Sequence, residues 1–221
     1  VAEQTLKVDP SNKTANSILK EGSTDLKSGN TDWYKELKRP SHRHDLNLSV
    51  RGGGEHSNYY ISLGVLDYQG MVEHDDFTRY TGRINLDYDI TDFLKFGTST
   101  TLGYTDVSSP GISLYTAIGF RPDYPIYNED GSYYKEGNSY NPVAQNDAKS
   151  YNDNYSILST SFLELNIWKG LKLKTTLSLN QNMSYSESYK PTYLTSDNKG
   201  YGTESTSRSF TTVFDNTLSW V

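Results

Sequence analysis

Four histidines, His42, His44, His56 and His74, are the first residues of this sequence able to do chemistry, because imidazole moves protons near neutral pH and binds metals. His42-x-His44 offers two ligands on one face of a strand. A structural zinc site normally has four, and no third His or carboxylate is placed to complete one. No metal is assigned, and the histidines read as polar residues at turns or at the rim of a sheet. The acidic run from Asp123 to Gly131 lacks the alternating carboxylates and distant Glu of an EF-hand loop. Asn128-Glu129-Asp130-Gly131 is more simply a β-turn with Gly in the left-handed position. No nucleophile motif appears and no cofactor is implied, so the expectation is a protein that is not an enzyme.

Aromatic residues form the second candidate set: Tyr115, Phe120, Tyr124, Tyr127, Tyr133, Tyr134 and Tyr140. They fall in an irregular stretch from Val107 to about Asp153, rich in Tyr, Asn and Gly and punctuated by Pro110, Pro122, Pro125 and Pro142. Loops this long inside compact domains are usually functional or disordered. Sugar rings pack their C–H faces on aromatic rings while their hydroxyls bond Asn and Asp, so such a loop could touch a glycan or a peptide. The alternative is structural, with the rings packing the loop on itself or against a covering partner. Ser113 to Phe120 has the pattern of a helical turn or two.

The scaffold that must position these residues is announced by Phe77 to Thr105. Tyr80, Gly82, Ile84, Leu86, Tyr88 and Ile90 alternate with Arg79, Thr81, Arg83, Asn85, Asp87 and Asp89. After Thr91-Asp92-Phe93 the alternation resumes, with Leu94, Phe96, Leu102 and Tyr104 on the apolar side. A period of two interrupted by a tight turn predicts a β-hairpin. Tyr80 and Tyr88 stand eight residues apart, as do Phe96 and Tyr104. At about 3.3 Å per residue and a tilt near 40°, that spacing rises about 20 Å, close to the ~25 Å apolar band that aromatic girdles flank in outer-membrane barrels. An apolar face of this kind could equally pack against a second sheet in a soluble sandwich.

Similar alternation recurs over His44–Gly52, Asn58–Tyr68, Tyr155–Trp168, the run from Leu171, and the run from Phe210 to Trp220. Short turns are expected at Gly52-Gly53-Gly54, where glycine accepts positive φ, at Thr91 to Phe93 and at Lys169-Gly170. Longer connections span Gln69–Asp76, Val107–Asp153 and Pro191–Ser207. Short turns at one end and long loops at the other describe an outer-membrane barrel seen from the side. The predicted fold is all-β: an antiparallel transmembrane β-barrel with long extracellular loops, present as about seven strands of a larger wall. Residues 1–43 read as a polar lead-in with a helix over Ala15 to Lys27, and residues 44–221 as the partial barrel. Arg79, Arg83, Asn85, Asp87 and Asp89 would then face the lumen.

Composition fits this reading. Hydrophobic residues make up 34% of the 221, low for an ordinary core but sufficient for a wall in which only alternate residues need be apolar. Nineteen tyrosines against seven phenylalanines suit a wall with two watery interfaces, where Tyr sets a ring in the apolar layer and its hydroxyl outside it. No run approaches the ~18–20 apolar residues of a membrane helix, so any crossing is made by strands. The absence of cysteine excludes disulfides and thiolate metal sites. Val1 opens no signal peptide, so an exported protein would be mature, truncated or seen only in part. The net charge of −6 gives no support to nucleic-acid binding.

Read together, TDWYKEL (31–37), HDLNLSVRGG (44–53), NYYISLGVLDYQGMV (58–72), FTRYTGRINLDYDITDFLKFG (77–97), NEDGSYY (128–134), YNPVA (140–144) and FDNTLSW (214–220) resemble the SusC/RagA-like TonB-linked outer-membrane proteins. The resemblance covers most of the chain from residue 31 onward, with Asn58 to Gly97 its most specific block, and matches the N-terminal part of the family's barrel only. It implies a barrel of about 22 strands around a plug, located in the outer membrane. It further implies TonB-driven import of oligosaccharides or peptides, and a SusD-like surface lipoprotein over the mouth. The plug and the TonB-contacting segment are not among these residues. On this resemblance the lead-in corresponds to the plug-to-barrel transition, and the strands to the first seven. Rival readings are a soluble β-sandwich that binds carbohydrate, and an outer-membrane adhesin or barrel enzyme.

Overall fold

The computed structural model of the protein describes residue 7, residues 9–11 and residues 30–220. The helix expected over Ala15 to Lys27 lies outside them. A short helix α1 (Trp33–Leu37) leads into β1 (His42–Gly53), β2 (Ser57–Gln69), β3 (Asp76–Thr91) and β4 (Leu94–Pro110). The long loop follows, carrying α2 (Leu114–Ile118), a ribbon of β5 (Lys135–Glu136) with β6 (Ser139–Tyr140), and α3 (Pro142–Asn146). The chain returns through β7 (Lys149–Trp168), β8 (Leu171–Lys190), a 3-10 turn (Thr192–Leu194) and β9 (Tyr201–Trp220). Seven strands form one antiparallel sheet in the order β1-β2-β3-β4-β7-β8-β9, so each pairs with the next of the seven along the chain, β5 and β6 standing apart in the long loop.

Register carries the alternation from strand to strand. Tyr80 stands opposite Val65 and Tyr104, Ile84 opposite Ile61 and Thr100, and Tyr88 opposite Phe96. Tyr104 in turn faces Tyr155. The apolar positions of all seven strands therefore share one face, as a period of two in matched register requires. Nothing among the described residues covers that face. Along one of its rows exposure is 70% at Leu48, 62% at Leu63, 46% at Leu102, 40% at Ile157 and 60% at Phe210. Among the described residues the sheet is an open wall with no second sheet packed on it.

Strands are longer than the alternation suggested. β4 runs on to Pro110, β7 begins at Lys149 instead of Tyr155, and β9 begins at Tyr201 within the expected Pro191–Ser207 loop. The added segments, such as Asn152-Asp153-Asn154 against Ser184-Tyr185-Ser186, are polar on both faces. Backbone pairing does not need apolar side chains, so the ladder continues where the alternation has stopped. The glycine triplet also differs from expectation. Gly52 and Gly53 belong to β1 with ordinary φ, and Gly52 leaves room for the Tyr59 ring, whose hydroxyl lies 2.5 Å from where a Cβ would sit.

On the polar face, Phe162 lies over Gly97. A Cβ at Gly97 would collide with the ring and lie 2.6 Å from an Asp87 oxygen, while Lys174 Nζ sits 4.1 Å from the ring centroid. An aromatic thus covers the bare backbone of a glycine in a strand. Gly97→Ala should cost about 1–3 kcal/mol in equilibrium unfolding, the usual range for overpacking. Adding Phe162→Leu should recover part of that loss; a neutral Gly97→Ala would show that the ring is not seated there.

Candidate functional site

The buried apolar side chains lie at the long-loop end and not in the sheet. Leu37, Ile112 and Ala117, with Val143 packed on them, make the apolar cluster, and Trp33, Val72, Tyr124 and Ala144 are also buried. Three capped helices build this cap. Asp32 accepts from Lys35 N to start α1, Ser113 from Thr116 N to start α2, and Asn141 from Ala144 N with Pro142 in the first turn of α3. The helical turn expected between Ser113 and Phe120 is α2. Helices α1 and α3 were missed, although an Asp-Trp and an Asn-Pro start are legible as N-cap signals.

α1 is pinned to the long loop at several points. Trp33 Nε1 donates to Arg121 O at 2.9 Å, its ring meets Phe120 edge-on at 5.3 Å, and Thr31 donates from its backbone to Pro122 O and from its hydroxyl to Tyr124 O. The β2–β3 turn joins the same body. Lys38 bridges Val72, Arg39 N donates to Met71 O at 2.8 Å, and the Arg39 guanidinium pairs with Asp76.

A carboxylate ties the long loop to the β8–β9 connection. Asp147 Oδ2 accepts from the hydroxyl of Tyr133 at 2.9 Å and from that of Tyr193. Burial, then the neighbouring negative charge, pushes both phenols well above the usual tyrosine range. Tyr134 is pushed up to about 12 by burial and by its bond to Glu136. Asp130 is held below the usual carboxylate range because Ser132 donates to it from hydroxyl and backbone, in the turn where Gly131 takes φ 81.

Most of the seven candidate aromatics are occupied by this packing. Tyr124 is 5% exposed between Phe120 and Tyr134, and Tyr133 stacks on Tyr127 while touching Tyr193, which also meets Tyr140. Only two of the seven present much surface: Tyr115 at 90% and Tyr127 at 51%. Beside Tyr115, Ile118 is exposed at 60% and lines a shallow cleft with Tyr34, Phe120 and Pro122.

Arg79, Arg83, Asn85, Asp87 and Asp89 lie together on the face opposite Tyr80 and Tyr88, as β3 geometry demands. Asn85 Oδ1 accepts from Ser99 Oγ at 2.8 Å. The other four belong to none of the ion pairs among the described residues. His42 pairs with Asp67 and lies beside His44, while His74 shapes the β2–β3 turn with φ 69 and its carbonyl accepts from Ser108.

Fold and bare apolar face together define a portion of an antiparallel transmembrane β-barrel, its sheet not closed within this chain. No family model matches the chain. It is 31% identical over 166 residues to TonB-dependent receptor P39 of Formosa agariphila, covering 72% of this chain and 16% of that protein. It is 36% identical over 104 residues to TonB-dependent receptor P26 of the same organism, covering 47% of this chain and 10% of that protein. TonB-dependent receptor SusC of Bacteroides thetaiotaomicron is 32% identical over 124 residues, 52% of this chain and 12% of the relative. The structure of the RagAB peptide importer in its closed-closed state superposes with a TM-score of 0.69 at 22% identity, over 91% of this chain and 25% of that one. The chain belongs to the SusC/RagA-like TonB-linked outer-membrane proteins, and spans less than a fifth of the length of the curated relatives it matches.

Asp147→Asn should bring Tyr133 and Tyr193 down towards their ordinary pKa in an alkaline spectrophotometric titration and leave Tyr134, which answers to Glu136, near 12. For a phenol whose folded pKa is raised, the stabilisation is present below its unfolded value of about 10 and is lost as pH rises through the folded value. The loops should therefore begin to lose stability above about pH 10, and the pH-dependent loss should be smaller in the variant, whose phenols are raised less.

Proposed function

We propose that the whole protein is a TonB-dependent nutrient importer of the outer membrane, taking up oligosaccharides or peptides together with a SusD-like surface lipoprotein. Residues 44–221 supply part of its barrel wall. The observation that carries this reading is the bare apolar face. Soluble proteins rarely expose contiguous apolar patches beyond a few hundred Å², whereas a lipid-facing wall needs one. The rows bounding it support the same reading. Tyr80, Tyr104 and Tyr155 run side by side towards the long loops, and Phe93, Trp168 and Trp220 stand exposed near the short turns.

In this reading Arg79, Arg83, Asn85, Asp87 and Asp89 line the lumen, and the four charged ones await counter-charges from plug or cargo. Tyr115 and Tyr127 are the loop aromatics free to touch substrate or lid, while Phe120, Tyr124, Tyr133, Tyr134 and Tyr140 hold the mouth in shape. In this reading none of these residues is assigned a catalytic role. A carbohydrate-binding β-sandwich would need a second sheet against the apolar face, and the described residues contain only the seven-stranded sheet and a short two-stranded ribbon.

The full-length protein should leave the membrane only with detergent and show heat-dependent gel mobility; a monomer soluble without detergent would sink the reading. Leu86→Arg, in mid-strand on the apolar face, should cost about 2–4 kcal/mol of unfolding free energy if it lies at the bilayer midplane, and Asn85→Arg much less. Equal costs would contradict the lipid and lumen faces.

A further inference from the structure

The lipid-facing side of the wall continues past the row of Tyr80, Tyr104 and Tyr155. Beyond that row β7, β8 and β9 stay in unbroken register, with Tyr151 opposite Glu187 and Lys149 opposite Tyr189, and then Glu187 opposite Glu204 and Tyr189 opposite Gly202. The period of two that turns Tyr155 outward turns these side chains outward as well. At about 3.3 Å per residue and a tilt near 40°, the four residues from Tyr155 back to Tyr151 climb about 10 Å above the ring row. There Lys149, Tyr151, Glu187, Tyr189 and Glu204 line one cleft of about 440 Å³, and Gly202 adds no side chain to fill it. Both of its rings are open to solvent, Tyr151 at 39% and Tyr189 at 53%.

We propose that this cleft holds the saccharide headgroup of a glycolipid of the outer leaflet. The proposal rests on the barrel reading, with the long loops outside. Three features select this occupant. The cleft continues the lipid-facing face, so what lies against it just above the apolar layer is the headgroup region. It looks away from the lumen, so cargo crossing the barrel does not pass it. Its carboxylates outnumber its cations, Glu187 and Glu204 against Lys149, and Asp106 and Asp153 face outward between the ring row and the cleft. Such a surface repels the phosphates of a headgroup and accepts hydrogen bonds from its sugar hydroxyls. Tyr151 and Tyr189 supply ring faces for the C–H side of a sugar, and Lys149 a donor for its oxygens.

The test uses the full-length protein extracted from its membrane in mild detergent, with lipopolysaccharide of the same cells as the probe. Wild type should retain lipopolysaccharide through washing. Tyr151→Ala combined with Tyr189→Ala should lower the amount retained by about tenfold, the loss of an anchor worth about 1.4 kcal/mol. Lipid-free saccharide cut from that lipopolysaccharide should displace it, and inorganic phosphate at equal concentration should not. Heat-dependent gel mobility reports whether the variant barrel is intact. If the tyrosine variant loses it, Glu187→Gln with Glu204→Gln decides, since it keeps both rings and should also lower retention. Equal retention by wild type and by the intact variants would overturn the proposal and leave the barrel reading standing. Displacement by phosphate, or release by a chelator of divalent cations alone, would overturn it in favour of a cation-bridged phosphate contact. A wild-type protein that is soluble without detergent would sink the barrel reading itself.

Discussion

An antiparallel sheet whose apolar residues stay in register across every strand must bury that face against something. Here the constraint is severe, because seven strands of 12 to 20 residues share the face and no second layer covers it among the described residues. Apolar surface removed from water is worth roughly 25 cal/mol per Å². A bare face of this size would therefore drive aggregation in water and insertion in a bilayer. Strand length, aromatic rows and the polar opposite face all follow from meeting that requirement with lipid. The low hydrophobic fraction does too, since a wall that separates lipid from a wet interior needs apolar residues at only half its positions.

What the chain buries by itself is elsewhere. The cap packs Trp33, Leu37, Val72, Ile112, Ala117, Tyr124 and Ala144 as a small globular core, assembled from α1, the β2–β3 turn and the long loop. Two kinds of stability therefore coexist in one polypeptide. The wall depends on its ladder and on lipid, whereas the cap depends on ordinary side-chain packing and on half-buried polar contacts such as those of Asp147 with two tyrosines. Units held by different interactions can open separately. A loosened cap would leave the wall paired, so the mouth can be altered without unfolding the barrel.

The wall was largely legible in the sequence because lipid enforces a period of two. Leu46, Leu48 and Val50 or Ile61, Leu63 and Val65 identify a face by their spacing alone. Legibility ended where lipid ends. Asp106, Asp153 and Tyr185 occupy outward positions beyond the tyrosine row, so the alternation stops while the ladder continues. The cap was harder to read. Its contacts join Trp33 to Arg121 and Asp147 to Tyr193, distant pairs that no periodicity announces. The partners of Asp32 and Asn141 were local, and their capping of α1 and α3 could have been found.

The same distinction decides what the loop aromatics mean. Seven of them in one irregular stretch invited a single binding surface, yet a loop that must hold its shape above a membrane needs a core, and tyrosine serves well because its ring packs while its hydroxyl finds a carboxylate. Tyr133 and Tyr134 do this with Asp147 and Glu136, and Tyr124 fills the space between Phe120 and Tyr134. Aromatic content therefore measures the architecture of the mouth as much as its capacity to bind. The informative residues are those left without structural duty. Tyr115 and Ile118 stand on a helix whose other side carries the buried Ala117, so the cap's own packing is what holds them outward.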